Sequence, residues 1–176
     1  MEESRPKNLH NDLVERAVRW LYGTKRCNIV LSGHASCREI PDAVGWCTSY
    51  KSSGSILVEC KTSMSDFHAD KRKDHDTRMG TWRYFLCPVN LIPDSSIEKH
   101  YPDHGLLYLD RNRVYVIREA PERRNVNLQA EIRLLQFALV HAHDNLLDLG
   151  CTVNMLRLTK FRTADGINFP NGHRND

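Results

Sequence analysis

Apolar positions along the chain switch between a helical and a strand period, and the switches divide it into elements. Leu13, Val14, Ala17, Val18 and Leu21 recur at helical intervals, which predicts a helix capped at Asn11 or Asp12 and ended by Gly23. Residues 27–31 read as a strand, followed by a polar turn at Ser32-Gly33-His34. Residues 42–47 and 55–60 are two further apolar runs of strand length, joined by a hairpin-type turn at Lys51-Ser52-Ser53-Gly54. Ser63 or Ser65 caps the next helix, with Ser63-x-x-Asp66 as a loose capping box, and that helix is expected to run to about Met79 before Gly80. Residues 82–87 form a strand stopped by Pro88. Residues 105–109 and 113–117 form a hairpin around Asp110-Arg111-Asn112. A long helix is predicted over 127–149, with Leu128, Ile132, Leu135, Leu139, Ala142 and Leu146 on one apolar face.

The predicted order is helix, three strands, helix, strand, then a hairpin and a helix. Such an order defines an α/β fold of the α+β kind, a mixed sheet flanked by helices. No repeat or linker divides the sequence, so one domain is expected over 1–176, with flexible tails at 1–9 and 163–176. Hydrophobic residues make up 40% and charged residues 27%, which fits a globular chain rather than a disordered one. No apolar run approaches the roughly 18 residues of a membrane span. The start, Met1-Glu2-Glu3-Ser4-Arg5-Pro6, lacks an apolar stretch behind a basic one, so no secretory signal is expected. The six cysteines include no C-x-x-C pair and read as reduced structural thiols in a cytoplasmic protein. A net charge of +3 does not by itself specify a polyanion partner.

Chemistry enters at Pro41-Asp42 and at Glu59-Cys60-Lys61. Glu59 and Lys61 lie two apart on a predicted strand and so point the same way. Pairing of the Asp42 run beside that strand would bring two carboxylates and one ammonium together at the strand ends. Hard oxygens of this kind suit Mg²⁺ or Mn²⁺, and the Cys60 backbone carbonyl between the two side chains adds a further donor. A lysine beside such an ion can stabilise hydroxide, orient a water or neutralise a phosphate. His141-x-His143 and the pair His68/His75 give no zinc pattern with cysteine. Trp46, Trp82 and Tyr84 read as core residues rather than base-stacking platforms.

The element order, with Pro-Asp on the second strand and Glu-x-Lys on the third, resembles the PD-(D/E)xK nuclease superfamily. Residues 38–110 resemble one branch more closely, the MmcB-like DNA-repair proteins and related phage-encoded nucleases. The resembling text is Arg38-Glu39-Ile40-Pro41-Asp42-Ala43-Val44, Val58-Glu59-Cys60-Lys61 with Thr62-Ser63-Met64-Ser65-Asp66-Phe67, Arg83-Tyr84-Phe85-Leu86-Cys87-Pro88 and His104-Gly105-Leu106-Leu107-Tyr108. About half the chain is covered. The tryptophan usual in the branch's second helix is missing, so no substrate detail is carried across.

The resemblance implies a restriction-endonuclease-like αβββαβ core with an added β-hairpin and a C-terminal helix. It implies a nuclease acting on DNA, with RNA left open, in repair, recombination or phage DNA metabolism. Asp42, Glu59 and Lys61 would be catalytic, with the ion at Asp42, Glu59 and the Cys60 carbonyl. The superfamily's first helix often carries one more acidic ligand. Glu15 is the candidate here, ahead of Asp12 and Glu39, although an ion pair with Arg19 at i+4 explains it equally well. Lys71, Arg72 and Lys73 follow the active strand closely enough to contact phosphate, within a stretch whose four acids and four bases otherwise read as a solvated face. The alternative class is a weakly active or inactive nucleic-acid-binding or protein-interaction module on the same fold. The oligomeric state is open, a homodimer included.

Overall fold

Six strands make one mixed sheet in sequence order, β1-β2-β3-β4-β5-β6. The structure is a computed structural model, and it describes residues 8–33, 41–49, 52–70 and 78–148. The elements are α1 (Leu9–Gly23), β1 (Ile29–Ser32), β2 (Ala43–Ser49), β3 (Ser52–Cys60), α2 (Met64–Asp70), β4 (Trp82–Pro88), α3 (Asp94–His100), β5 (His104–Asp110), β6 (Arg113–Arg118) and α4 (Leu128–Asp148). β1, β2 and β3 pair antiparallel, β3, β4 and β5 pair parallel, and β6 returns antiparallel. The fold is therefore mixed α/β, as the periodicities predict. The chain groups into two compact units, Met1–Leu139 and Val140–Asp176, and the whole sheet lies in the first.

Strand alternation sends two sets of side chains to the two faces of the sheet. Ile56, Val58 and Cys60 of β3 join Ala43, Cys47, Tyr84, Leu86 and Leu107 in a core closed by Leu13, Ala17, Trp20 and Leu21 of α1. On the opposite face, Phe85, Cys87 and Leu106 pack with Phe67 of α2 and Ile97 of α3. Beside them Val44, Leu57 and Met79 pack with Ala130 and Leu134 of α4. The four described cysteines, Cys27, Cys47, Cys60 and Cys87, are buried free thiols. No helix among the described residues is long and apolar enough to cross a membrane.

Several expectations need correction. α1 begins at Leu9, because Asn8 rather than Asn11 or Asp12 caps it, its side chain accepting from His10 N at 3.1 Å. Residues 8 and 9, expected in a flexible tail, are therefore the cap and first residue of α1, and 1–7 lie outside the described residues. β1 starts at Ile29, not 27. The β2–β3 ladder runs on to Ser49↔Ser52, so Ser52, Ser53 and Gly54 are strand, not turn. Gly54 serves close approach instead: a Cβ there would lie 2.7 Å from Thr81 Oγ1 and 2.9 Å from the Trp82 ring. The second helix does not reach Met79, since 78–80 is irregular, with Arg78 at φ 45 and Gly80 at φ 87. α3 was not expected at all. The predicted apolar face of α4 points outward in part: Leu128, Ile132 and Leu139 are exposed, while Ala130, Glu131 and Leu134 are buried.

Candidate active site

The Asp42 carboxylate lies against the end of β3. Asp42 occupies the bend before β2, one step beyond the pair Ala43↔Val58, which sets it opposite Glu59. Its Oδ2 accepts the Cys60 backbone N–H at 2.7 Å. In an extended strand the N–H and C=O of one residue leave on the same side. The Cys60 carbonyl is thus directed to the Asp42 side, while the next amide, Lys61 N, donates the other way to Leu86 O at 2.9 Å. The structure therefore brings Asp42, Glu59 and Lys61 to one strand end around Cys60. The Cys60 thiol registers all of them. Burial chiefly pushes it well above its usual range, with Asp42, Glu59 and Asp66 adding to the rise and Lys61 opposing it.

Lys61 is not the surface lysine that a strand-end position suggests. It is 3% exposed, with Nζ 3.9 Å from Asp66 Oδ1 of α2 and 5.9 Å from the Phe85 ring centre. α2 is entered as predicted, Ser63 Oγ accepting from Asp66 N at 3.1 Å. Glu59 faces Arg83, with Oε1 and a terminal guanidinium nitrogen 4.0 Å apart. Arg83 is buried and donates to Met79 O at 3.3 Å. His10 Nε2 lies 3.2 Å from Asp42 Oδ1.

Sequence reasoning missed His10, Asp66 and Arg83 as neighbours of the site. Arg83 left a signal: a charge inside Trp-Arg-Tyr-Phe-Leu-Cys needs a partner once that strand is buried. His10 left none, because the predicted helix began after it. Glu15 is ion-paired with Arg19 on its own helix, as the i+4 spacing allowed; it also lines a cavity shared with Asp42. Asp12 pairs with Arg16 at 3.6 Å. Glu39, Lys71, Arg72 and Lys73 lie outside the described residues. Tyr84 is core, and Trp46 and Trp82 are partly buried against it or its neighbours, as expected.

Beside Arg83, β5 opens with His104, whose ring stacks on Phe85 at 5.0 Å and 13°. Its Nδ1 lies 2.7 Å from Asp103 Oδ1, and Arg123 lies 3.2 Å from Asp103 Oδ2. The bond to His104 foremost, then the nearby positive charges, hold the Asp103 carboxyl at about 2 against burial. Burial foremost pushes the His104 imidazole below its usual 6.5, against the pull of Asp103. Both groups bind protons more readily in the unfolded chain, so both make acid destabilising. The His104 contribution is present above 6.5 and is lost as pH falls below it. The Asp103 contribution is present above 3.8 and is lost as pH falls through about 2. Wild-type Tm is expected to fall more steeply than that of His104→Gln between about pH 7 and 5. Circular dichroism melts at stepped pH check this, and parallel slopes would show that His104 titrates normally.

A mixed α/β sheet with two carboxylates and a lysine gathered at one strand end is the class that the fold and the geometry define. No protein-family model matches the chain, and no curated protein matches it. Among solved structures, the SPO1766 protein of unknown function from Silicibacter pomeroyi is similar at TM-score 0.58 and 21% identity, over 82% of this chain and 94% of that one. A likeness at that identity shows the fold.

Proposed function

We propose that this chain is a divalent-metal-dependent nuclease that hydrolyses DNA phosphodiesters on a restriction-endonuclease-like fold. The reading includes cytoplasmic work in DNA repair, recombination or phage DNA metabolism. The observation that carries it is the 2.7 Å bond from Cys60 N to Asp42 Oδ2, which joins the Pro-Asp segment to the Glu-Cys-Lys strand end.

The donor set fits Mg²⁺ or Mn²⁺. It offers two carboxylates and a main-chain carbonyl, all hard oxygens. Among the described residues no three His, Cys, Asp or Glu side chains form a metal cage. An ion held by one or two carboxylates, with waters and substrate phosphate completing its shell, is the usual mode for Mg²⁺. Asp42, Glu59 and the Cys60 carbonyl would hold it. The chemistry such an ion supplies is Lewis-acid polarisation of a phosphoryl oxygen and acidification of water.

The remaining work falls to side chains. The Cys60 amide fixes one Asp42 oxygen and so orients the carboxylate. Burial and the packed Phe85 ring restrict Lys61, so its ammonium is directed before substrate arrives and can meet negative charge developing on phosphate. Arg83 sits beside Glu59 and limits where that carboxylate can turn.

One observation favours the inactive-module alternative. Asp42, Glu59 and Lys61 each already face a protein group of opposite charge or a polar partner, as in a structural ion network. Incubation of the protein with Mn²⁺ and a panel of linear, circular, single-stranded and branched DNA, with RNA alongside, separates the two. Metal-dependent cleavage abolished by EDTA is the expected result. Binding without cleavage supports the module, and full cleavage in EDTA removes the mechanism.

A further inference from the structure

A cavity of about 480 Å³ opens beside the candidate site, between α1 and the ends of β1 and β2. Most of its exposed wall surface is apolar, although polar side chains border it. Val14 and Val18 lie one turn apart on α1, both partly buried against the core and so held in place, and Pro41 adds a third surface. Asn11 and Ser32 supply hydrogen-bonding groups at its edge, and Asp42 itself borders it.

The volume falls within the range of small-ligand clefts. Two carboxylates border the space, those of Asp42 and Glu15, and each has a basic residue of the same lining beside it, His10 3.2 Å from Asp42 and Arg19 paired with Glu15. The one permanent cation among the described lining residues, Arg19, is thus already engaged by Glu15, which leaves it little to hold a phosphate group with. The lining suits a neutral flat ring with apolar faces and a polar edge. Of the parts of a DNA strand, only the base has that character.

We propose that this cavity receives the nucleobase of a nucleotide next to the phosphate engaged at Asp42. The inference rests on the nuclease reading and narrows its substrate. A base stacked in a duplex cannot enter such a cavity, so the strand must offer it unpaired. The preferred substrate is then single-stranded DNA, a flap, or a duplex with an unpaired nucleotide at the cut.

Single-stranded oligonucleotides test this, one intact and one set with an abasic residue moved stepwise along the strand. Binding is measured in EDTA and cleavage in Mn²⁺. One abasic position is expected to weaken binding or cleavage about five- to 150-fold, the usual worth of one stacked base. Val18→Trp, which fills the cavity, is expected to bring that ratio close to one. Asn11→Ala, at an exposed position that spares the fold, is expected to reduce discrimination among the four bases.

Equal handling of intact and abasic strands at every position, with cleavage present, overturns the cavity assignment and leaves the nuclease reading standing. An abasic effect on binding with no cleavage of any substrate supports the cavity and overturns the nuclease reading. Competition by free dAMP as strong as that of the intact strand would make this a free-nucleotide site and overturn the substrate proposal.

Discussion

Lys61→Met is expected to slow cleavage by the proposed nuclease about 10²–10³-fold, the usual cost of losing one preorganised charge or donor at a developing negative charge. Affinity for uncut DNA should change far less, because a group used mainly in the transition state lowers kcat rather than binding. Methionine is the informative replacement because Lys61 is 3% exposed. Its stem is part of the packing beside Phe85. Alanine would remove stem and ammonium together and cost about 2–5 kcal/mol of stability, as large-to-small changes at buried sites do. Methionine keeps most of the stem and removes the ammonium, its charge and its N–H donors together. Exchanging a buried charge for an apolar group of similar volume is often neutral for stability. Asp66 loses a partner 3.9 Å away, but its side chain is 41% exposed and water can replace that contact. The measurements are single-turnover cleavage in Mn²⁺ and the urea midpoint of each variant. If Lys61→Met cuts at the wild-type rate with an unchanged midpoint, the ammonium takes no part in the chemistry and the nuclease reading loses its centre.

Which features were legible follows from how each residue is held. The α1 stripe and the strand runs were readable because alternation and helical spacing are set by local geometry. The meeting of Asp42 with Glu59-Cys60-Lys61 was readable because hairpin-joined runs of strand length pair with each other. Their turn was misplaced because Gly54 looks like a turn residue, whereas the close approach of Thr81 and Trp82 requires it. α3 escaped notice because only Ile97 of its seven residues is buried, which leaves no period to detect. The burial of Lys61 was not legible, because burial at a strand end depends on α2 and Phe85 packing beside it, a tertiary fact. His10 and Arg83 reach their partners from distant segments, and no spacing rule connects them. On α4 the apolar positions Leu128, Ile132 and Leu139 suggested the packed face, yet the helix buries the side bearing Glu131.

That carboxylate carries the second large effect: Glu131→Ala is expected to cost about 3–5 kcal/mol of stability. Glu131 is 4% exposed. Its Oε1 accepts from Ser55 Oγ at 2.6 Å and from Gly80 N at 2.9 Å, and its Oε2 accepts from Trp46 Nε1 at 3.0 Å. Ser55 Oγ in turn accepts from Thr81 N at 3.1 Å, so the hydroxyl proton is committed to Glu131. One side chain thereby ties α4 to β2, to β3 and to the residues that lead into β4. Alanine would strand an amide, an indole N–H and a hydroxyl in a site with little water, each worth about 1–3 kcal/mol when unpaired. Partial relaxation keeps the total below their sum. Glu131→Gln should cost less, because one oxygen survives to accept from Ser55 or Gly80 while its NH₂ faces the Trp46 donor. Urea unfolding followed by tryptophan fluorescence orders the three proteins: wild type, then Glu131→Gln, then Glu131→Ala. An Ala variant within 1 kcal/mol of wild type would mean that water or a neighbouring group satisfies these donors and that the carboxylate does not hold α4 to the sheet. If the order holds, Glu131 fixes the course of residues 80–81, which lead directly into the β4 strand that carries Arg83 to within 4.0 Å of Glu59.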